Sequence, residues 1–308
     1  MLQILFLGEY MQSKINNIIN FCYDETDGIE IQLFLIAVKC LIPYEDNIGC
    51  FFDKDRYKKE IELLAYYKNN DDEIMDYWIK YKIPSNNNDG LLEYKIIPII
   101  LSNTIWEHLL DEVIKAVTFY TLNKNTVLDA LLLSSAIHEF INNTEIKDIE
   151  TITKDRLINF SIKNTFANNQ ITADNNYIID FGKERIKEIS KPMLLGDNRI
   201  SKYKALNYIF NNNSTYNKDS TTQNNKLLDN SNNINSVLLG SFSQYLYKLR
   251  KGTINPEKLK IPDKIPDIKE CLQQSIFNHP LLGRCKVIER TKNEVIIRNK
   301  SGIMRIRI

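Results

Sequence analysis

The sequence predicts a mainly α fold with a small β-rich appendage at its C-terminus. Apolar residues recur at helical spacing through most of the chain as far as Arg250, and the last thirty residues switch to short β-rich runs between turn signals. Between them, 211–236 (NNNSTYNKDSTTQNNKLLDNSNNINS) is a low-complexity tract with almost nothing to bury. These observations divide the chain into a helical domain over 1–260, interrupted by a loop at 211–236, and a β-tail over 279–308. With 308 residues and 43% apolar content, the chain is long enough to bury a proper core.

In chain order, Ile29 to Leu41 is apolar nearly all round, the mark of a buried helix rather than a surface one. Lys54 to Lys68 and Asp71 to Lys82 each carry one apolar face opposite a charged one, and Asp71 to Glu73 reads as a helix N-terminus without chemistry of its own. Asn87 to Gly90 (NNDG) is a turn by composition. Thr104 to Leu122 and Asn125 to Asn142 form an antiparallel pair across a short turn, with Thr126 placed to cap the second helix. Asp155 to Phe166, Ile178 to Ile189 and Ser201 to Phe210 are weaker helices. Asn235 to Arg250 is the last helix of the domain, and Lys251 to Pro266 is a Pro-punctuated connector. Arg284 to Arg290, Glu294 to Asn299 and Met304 to Ile308 form a three-stranded meander.

Lys+Arg 40 against Asp+Glu 39 leaves no global field that would select an anionic partner. The five cysteines are odd in number and contain no CxxC pair, so neither a disulfide framework nor a zinc site is indicated. No signal peptide or membrane-spanning run is evident, and a cytoplasmic protein with no membrane partner is expected. Nucleotide-hydrolysing P-loop chemistry is excluded by the lack of a phosphate-cradling glycine loop, and no GxSxG or HExxH motif is present. His108, His138 and His279 are far apart, and helical packing or solvation accounts for the first two.

Acidic residues remain. Asp24, Glu25, Asp27 and Glu30 crowd the entry to the buried helix at Ile29. They either complement the positive end of that helix or, with carboxylates from a distant segment, supply the oxygen ligands of a hard cation.

Four segments in order resemble the ADP-ribosylglycohydrolase family. Leu5 to Tyr10 (LFLGEY) resembles its opening LAVGDA pattern, with Glu9 in the place of the aspartate. Thr26 to Ala37 (TDGIEIQLFLIA) resembles its TDDT-type motif and helix, with Thr26 and Asp27 retained but Gly28 and Ile29 at the other two positions. Asp89 to Pro98 (DGLLEYKIIP) resembles the glycine-rich stretch ending in ArgIleAlaPro, with Lys95 and Pro98 matching. Val117 to Ile137 is similar to the paired helices joined at a ThrHis turn, with Leu122 in place of the histidine. Ser231 to Gly252 resembles the DTDT-type motif and its helix, and aligning on Gly240 sets Ser231 and Asn233 where the two acids stand and Ile234 at the last threonine. TINPEKL at Thr253 to Leu259 is similar to the following AIPEEWL segment.

The resemblance implies an all-helical fold, hydrolysis of the glycosidic bond of ADP-ribose conjugates, and two Mg²⁺ ions between the motifs. It gives Glu9 and Glu30 the catalytic positions, Asp89 and Lys95 the ligand-binding ones, and Thr26, Asp27, Ser231 and Asn233 the metal positions. Mg²⁺ takes its near-octahedral shell mostly from carboxylates and water, and one aspartate cannot hold two ions. Weak or absent turnover is therefore expected, slowed by roughly 10³-fold or more. The alternative is a non-enzymatic binding or scaffold protein. HPLLGRCKVIERTKNEVIIRNKSGIMRIRI is similar to small SH3-like or Tudor-like tails opening on a HisxxxGxGxV pattern, with Cys285 at the second glycine. From Arg284 onward it holds eight Lys/Arg against two Glu, which suits a nucleic acid or an acidic partner. Strand alternation is expected to put only some of Arg284, Lys286, Arg298, Arg305 and Arg307 on one face.

Overall fold

The computed structural model describes residues 2–23, 28–45, 48–66, 71–212, 234–254, 266–299 and 302–307, with side chains from Tyr10 in the first helix and from Leu238 in the helix that follows residue 233. Within them the protein is mainly helical and ends in a small antiparallel sheet.

Helix α1 (Leu2–Tyr23) opens the chain, so the LFLGEY segment lies inside a helix. Helix α2 (Ile29–Lys39) leads into a hairpin not anticipated from the sequence, β1 (Leu41–Pro43) against β2 (Cys50–Phe52), paired Leu41 to Phe52 and Pro43 to Cys50. Three-residue strands are too short to show alternation. Helices α3 (Lys54–Leu64) and α4 (Glu73–Tyr81) are capped by the side chains of Asp53 and Asp72.

Helix α5 (Leu92–Ser102) is the centre of the molecule, with every residue buried. Against it pack α2, α6 (Trp106–Tyr120), α7 (Lys124–Ile141) and α13 (Ile234–Arg250), while α13 also lies along α1. Ile96, Ile97, Ile99, Ile100 and Leu101 are completely buried, each contributing about 1.5–3 kcal/mol relative to exposure. Pro98 sits inside this helix and has no N–H for the Tyr94 carbonyl; the Tyr23 hydroxyl donates to that carbonyl instead, at 3.2 Å.

The cap of α7 is Asn123, whose side chain accepts from the Thr126 N–H; Thr126 stands three residues in and uses its hydroxyl to accept the Asp89 N–H. The expected Thr126 cap is thereby corrected: the shorter-reaching cap position belongs to the residue with extended backbone. The helix expected over Asp155 to Phe166 is two, α8 (Ile146–Asn159) and α9 (Ile162–Asn168), because Ser161 caps a new start. Helix α10 (Asn175–Ile189) packs with α8 on α7. Ser201 to Phe210 is likewise interrupted, into α11 (Asp197–Lys202), α12 (Lys204–Asn207) and a π-helical turn at Tyr208–Asn212. Residues 213–233 of the low-complexity tract and 255–265 of the connector lie outside the described residues.

After α14 (Ile268–Cys271), the tail forms four strands, β3 (Ile276–His279), β4 (Gly283–Arg290), β5 (Glu294–Asn299) and β6 (Gly302–Arg307), in sequential antiparallel order. The expected three-stranded meander starting at 279 gains β3, a strand whose four residues alternate exposed and buried but include only two aliphatic or aromatic side chains. A bulge at Ile288 shifts the β4–β5 register. The Arg305 N–H on the edge of β6 donates to the Tyr66 carbonyl, fastening the sheet to the end of α3.

Candidate functional site

Glu30 lies in the first turn of α2, whose N-cap, Gly28, has no side chain to offer. One Glu30 carboxylate oxygen stands 3.0 Å from where a Cβ on Gly28 would sit, so the acid folds back over the positive end of its own helix. That is the dipole-complementing arrangement, one of the two left open by the sequence. Beside it, burial together with Glu93 and Glu30 raises the Tyr94 hydroxyl above its ordinary pKa. Glu93 is buried and accepts the N–H groups of Lys204 and Ala205, capping α12; burial raises its pKa, and those bonds offset part of the rise.

Thr26, Asp27, Ser231 and Asn233 lie outside the described residues. For Glu9 only the backbone, within α1, is described. The helices that follow the two degenerate motifs, α2 and α13, both pack on α5, and Phe34 meets Phe242 edge-on at 5.6 Å.

Asp89 and Lys95 are together, but in a closed cluster. The Lys95 ammonium stands 2.7 Å from Asp72 Oδ2 and 2.8 Å from Asp89 Oδ2, with all three side chains at most 2% exposed, and 4.6 Å from the centre of the Tyr120 ring. Burial disfavours the ammonium, yet Asp72 and Asp89 outweigh it and hold the Lys95 pKa above its ordinary value. Asp72 Oδ1 meanwhile caps α4 through Ile74 and Met75, and Asp89 Oδ1 accepts the Leu91 N–H. Asp89 and Lys95, expected to bind ligand, are here engaged with one another and with Asp72 and buried. Asp71 to Glu73 is a helix start as expected, with Asp72 its N-cap, and the second oxygen of that cap is the one that holds Lys95. A lone lysine in the apolar run LEYKIIPIILS was the signal that a carboxylate partner had to be near.

This cluster bears on a metal as well. The two carboxylates that lie closest to a shared cation already enclose one, the ammonium of Lys95. Among the described residues no group of three His, Cys, Asp or Glu side chains could hold a metal ion.

A second polar network closes the ends of α5, α7 and α13. His138 Nε2 lies 2.8 Å from the Thr104 carbonyl and Nδ1 3.0 Å from Glu139, which also takes Arg156 and Thr144, each at 2.5 Å. Burial opposes ionisation of Glu139, but these donors prevail and bring its pKa down to about 2. Arg250, 1% exposed, donates to the carbonyl of Asn103 and to Asn142 Oδ1 at 2.8 Å. Burial brings its pKa down to about 10. Both networks join main-chain ends to side chains and fasten helices.

In the tail, His279 Nδ1 accepts the Leu281 N–H and Nε2 faces the Pro266 carbonyl, which fixes the tautomer with the proton on Nε2. The register pairs Asn278 with Arg284, Lys286 with Arg298, Ile296 with Arg305, and Glu294 with Arg307. Directly paired residues share a face, so all five basic residues project from one exposed side; Phe277, Cys285, Val295, Ile297, Met304 and Ile306 fill the buried side. The expectation that only some would do so is overturned, since the basic residues fall on one parity within each strand and the register brings those parities into line.

Compared with known protein families, curated proteins and solved structures, the chain matches none. No helix among the described residues is long and apolar enough to cross a membrane.

Proposed function

We propose that the helical body is an ADP-ribosylglycohydrolase-like fold in which metal-dependent hydrolysis is weak or lost, retaining a role in binding ADP-ribose or an ADP-ribosylated protein. The observation that carries this reading is the convergence of the resembling segments. They supply α1, α2, α5, the α6–α7 pair and α13, and α2, α6, α7 and α13 are the helices gathered around α5. Loss of turnover follows from the side chains at the motif positions: Gly28, Ile29, Ser231 and Asn233 offer no anionic oxygen. Glu9 and Glu30 remain the nominated acids, and any Mg²⁺ would depend on Thr26 and Asp27 with acids brought from elsewhere. The five free thiols, four of them buried, support a reducing cytoplasmic setting.

Isothermal titration of the metal-stripped protein with ADP-ribose, with and without Mg²⁺, tests the reading beside an assay for ADP-ribose release from a modified protein. Binding that is indifferent to Mg²⁺, without release, is expected. Robust Mg²⁺-dependent release would refute the loss of activity, and no binding in either condition would refute the ligand.

A further inference from the structure

We propose that the exposed face of the C-terminal sheet docks an acidic peptide segment of a partner protein, one whose carboxylates and aliphatic side chains project from the same face of an extended strand. The inference stands apart from any role of the helical body in binding ADP-ribose.

The face carries Arg284, Lys286, Arg298, Arg305 and Arg307 against only Glu289 and Glu294, a net charge of +3 on a chain whose total is +1. Arg305 alone is near one of these acids, 3.6 Å from Glu294; among the described residues no carboxylate pairs with Arg284, Lys286, Arg298 or Arg307. Lys286 and Arg298 are directly opposed across the β4–β5 pair, an arrangement that weakens a sheet unless something anionic lies over it.

The spacing suits an extended peptide. Arg284 and Lys286 on β4, like Arg305 and Arg307 on β6, are two residues apart, about 6.6 Å along a strand. Carboxylates at alternate positions of an extended partner repeat at the same interval.

The apolar residues on this side decide between kinds of anion. Across the sheet, one row reads Ile276, Lys286, Arg298, Ile303, placing the cation pair between two exposed isoleucines, 48% and 38% exposed. Ile288, pushed out by the bulge, is 47% exposed. Aliphatic side chains have nothing to meet on a phosphodiester backbone. A platform for bases would need aromatic rings, and the rings of the sheet's described residues, Phe277 and His279, are on the buried side. A peptide carrying both acids and Leu or Ile at every second residue, hence on one face, satisfies both the cations and the isoleucines.

The test uses the full chain and three fluorescent probes: a synthetic peptide with pairs of Glu flanked by Leu at every second position and Ser between, a peptide of the same composition with its Leu residues moved to the intervening positions, and a DNA duplex. Anisotropy titrations at low salt are expected to show the peptide with Glu and Leu on one face binding best, with affinity falling as salt is raised. Joint Lys286→Glu and Arg298→Glu substitution is expected to weaken it by roughly tenfold or more. Ile303→Ser should cost about threefold. Circular dichroism checks folding, and the joint Lys286→Ala and Arg298→Ala variant replaces the charge reversal if the latter unfolds. Failure of the folded parent to bind the peptide with Glu and Leu on one face, equal binding by the charge-altered variant, or tighter binding of the duplex would each overturn the proposal.

Discussion

The Tyr23 hydroxyl hydrogen-bonds the Tyr94 carbonyl at 3.2 Å, standing in for the N–H that Pro98 lacks. Tyr23→Phe should therefore strand a buried carbonyl and lower unfolding free energy by about 1–2 kcal/mol in urea titrations. In a Pro98→Ala background, where residue 98 regains an N–H, the same substitution should cost less. An equal cost in both backgrounds would show that the hydroxyl does not serve this carbonyl.

The Lys95 ammonium neutralises part of a buried pair of carboxylates. Lys95→Met should cost on the order of 3–5 kcal/mol by leaving Asp72 and Asp89 face to face without it, and adding Asp89→Asn should recover part of that. The Lys95 pKa is raised on folding, so its contribution is complete below the ordinary lysine value of 10.5 and is lost as pH rises through the higher folded value. Unfolding midpoints of the parent and Lys95→Met should accordingly converge only in strong alkali.

Glu139 behaves in the opposite sense. Its pKa falls from 4.5 to about 2 on folding, so its stabilisation is present above pH 4.5 and drains away as pH falls toward 2. Glu139→Gln should lower the urea midpoint at neutral pH and make it less dependent on pH through that window. A variant with the parent's acid profile would remove Glu139 from the account.

Gly49 has φ +108, and a Cβ there would meet Asn103 Oδ1 at 2.5 Å, the same oxygen that accepts the Cys50 N–H. Gly49→Ala should cost roughly 2–4 kcal/mol, through backbone strain and displacement of that bond. Gly90→Ala, where the new methyl group meets nothing within 4 Å, should stay within about 0.5 kcal/mol. Paired thermal unfolding curves would separate the two.

The long apolar periods were legible in the sequence: α2, α3, α4, α6, α7 and α13 all lie where helical spacing set them, because a face that must be buried leaves a repeating mark. Boundaries governed by a single hydrogen bond were not, as Asn123 and Ser161 show; several nearby polar residues could have made each cap. At the candidate site, Lys95 and Asp89 were picked out, but their partner Asp72 was hidden in an ordinary helix start. Pairing between residues 23 positions apart, 72 and 95, leaves no local pattern. The one-sided charge of the tail was written in the spacing of its basic residues within each strand, but only the strand register showed that the parities coincide.

The packing of α13 along α1 sets the order in which the chain can complete itself. The tail's strands pair with their immediate neighbours in sequence, whereas α1, which also touches α7 and α12, has its most extensive partner in a helix that begins at Ile234. Closing a loop that long exacts its entropy before any contact rewards it. During synthesis, α5 can gather α2, α6 and α7, but the flank reserved for α13 stays open to water until most of the polypeptide has left the ribosome. The helical body is thus a late closure, and truncation ahead of Ile234 should leave a chain that holds chaperones rather than a smaller folded protein.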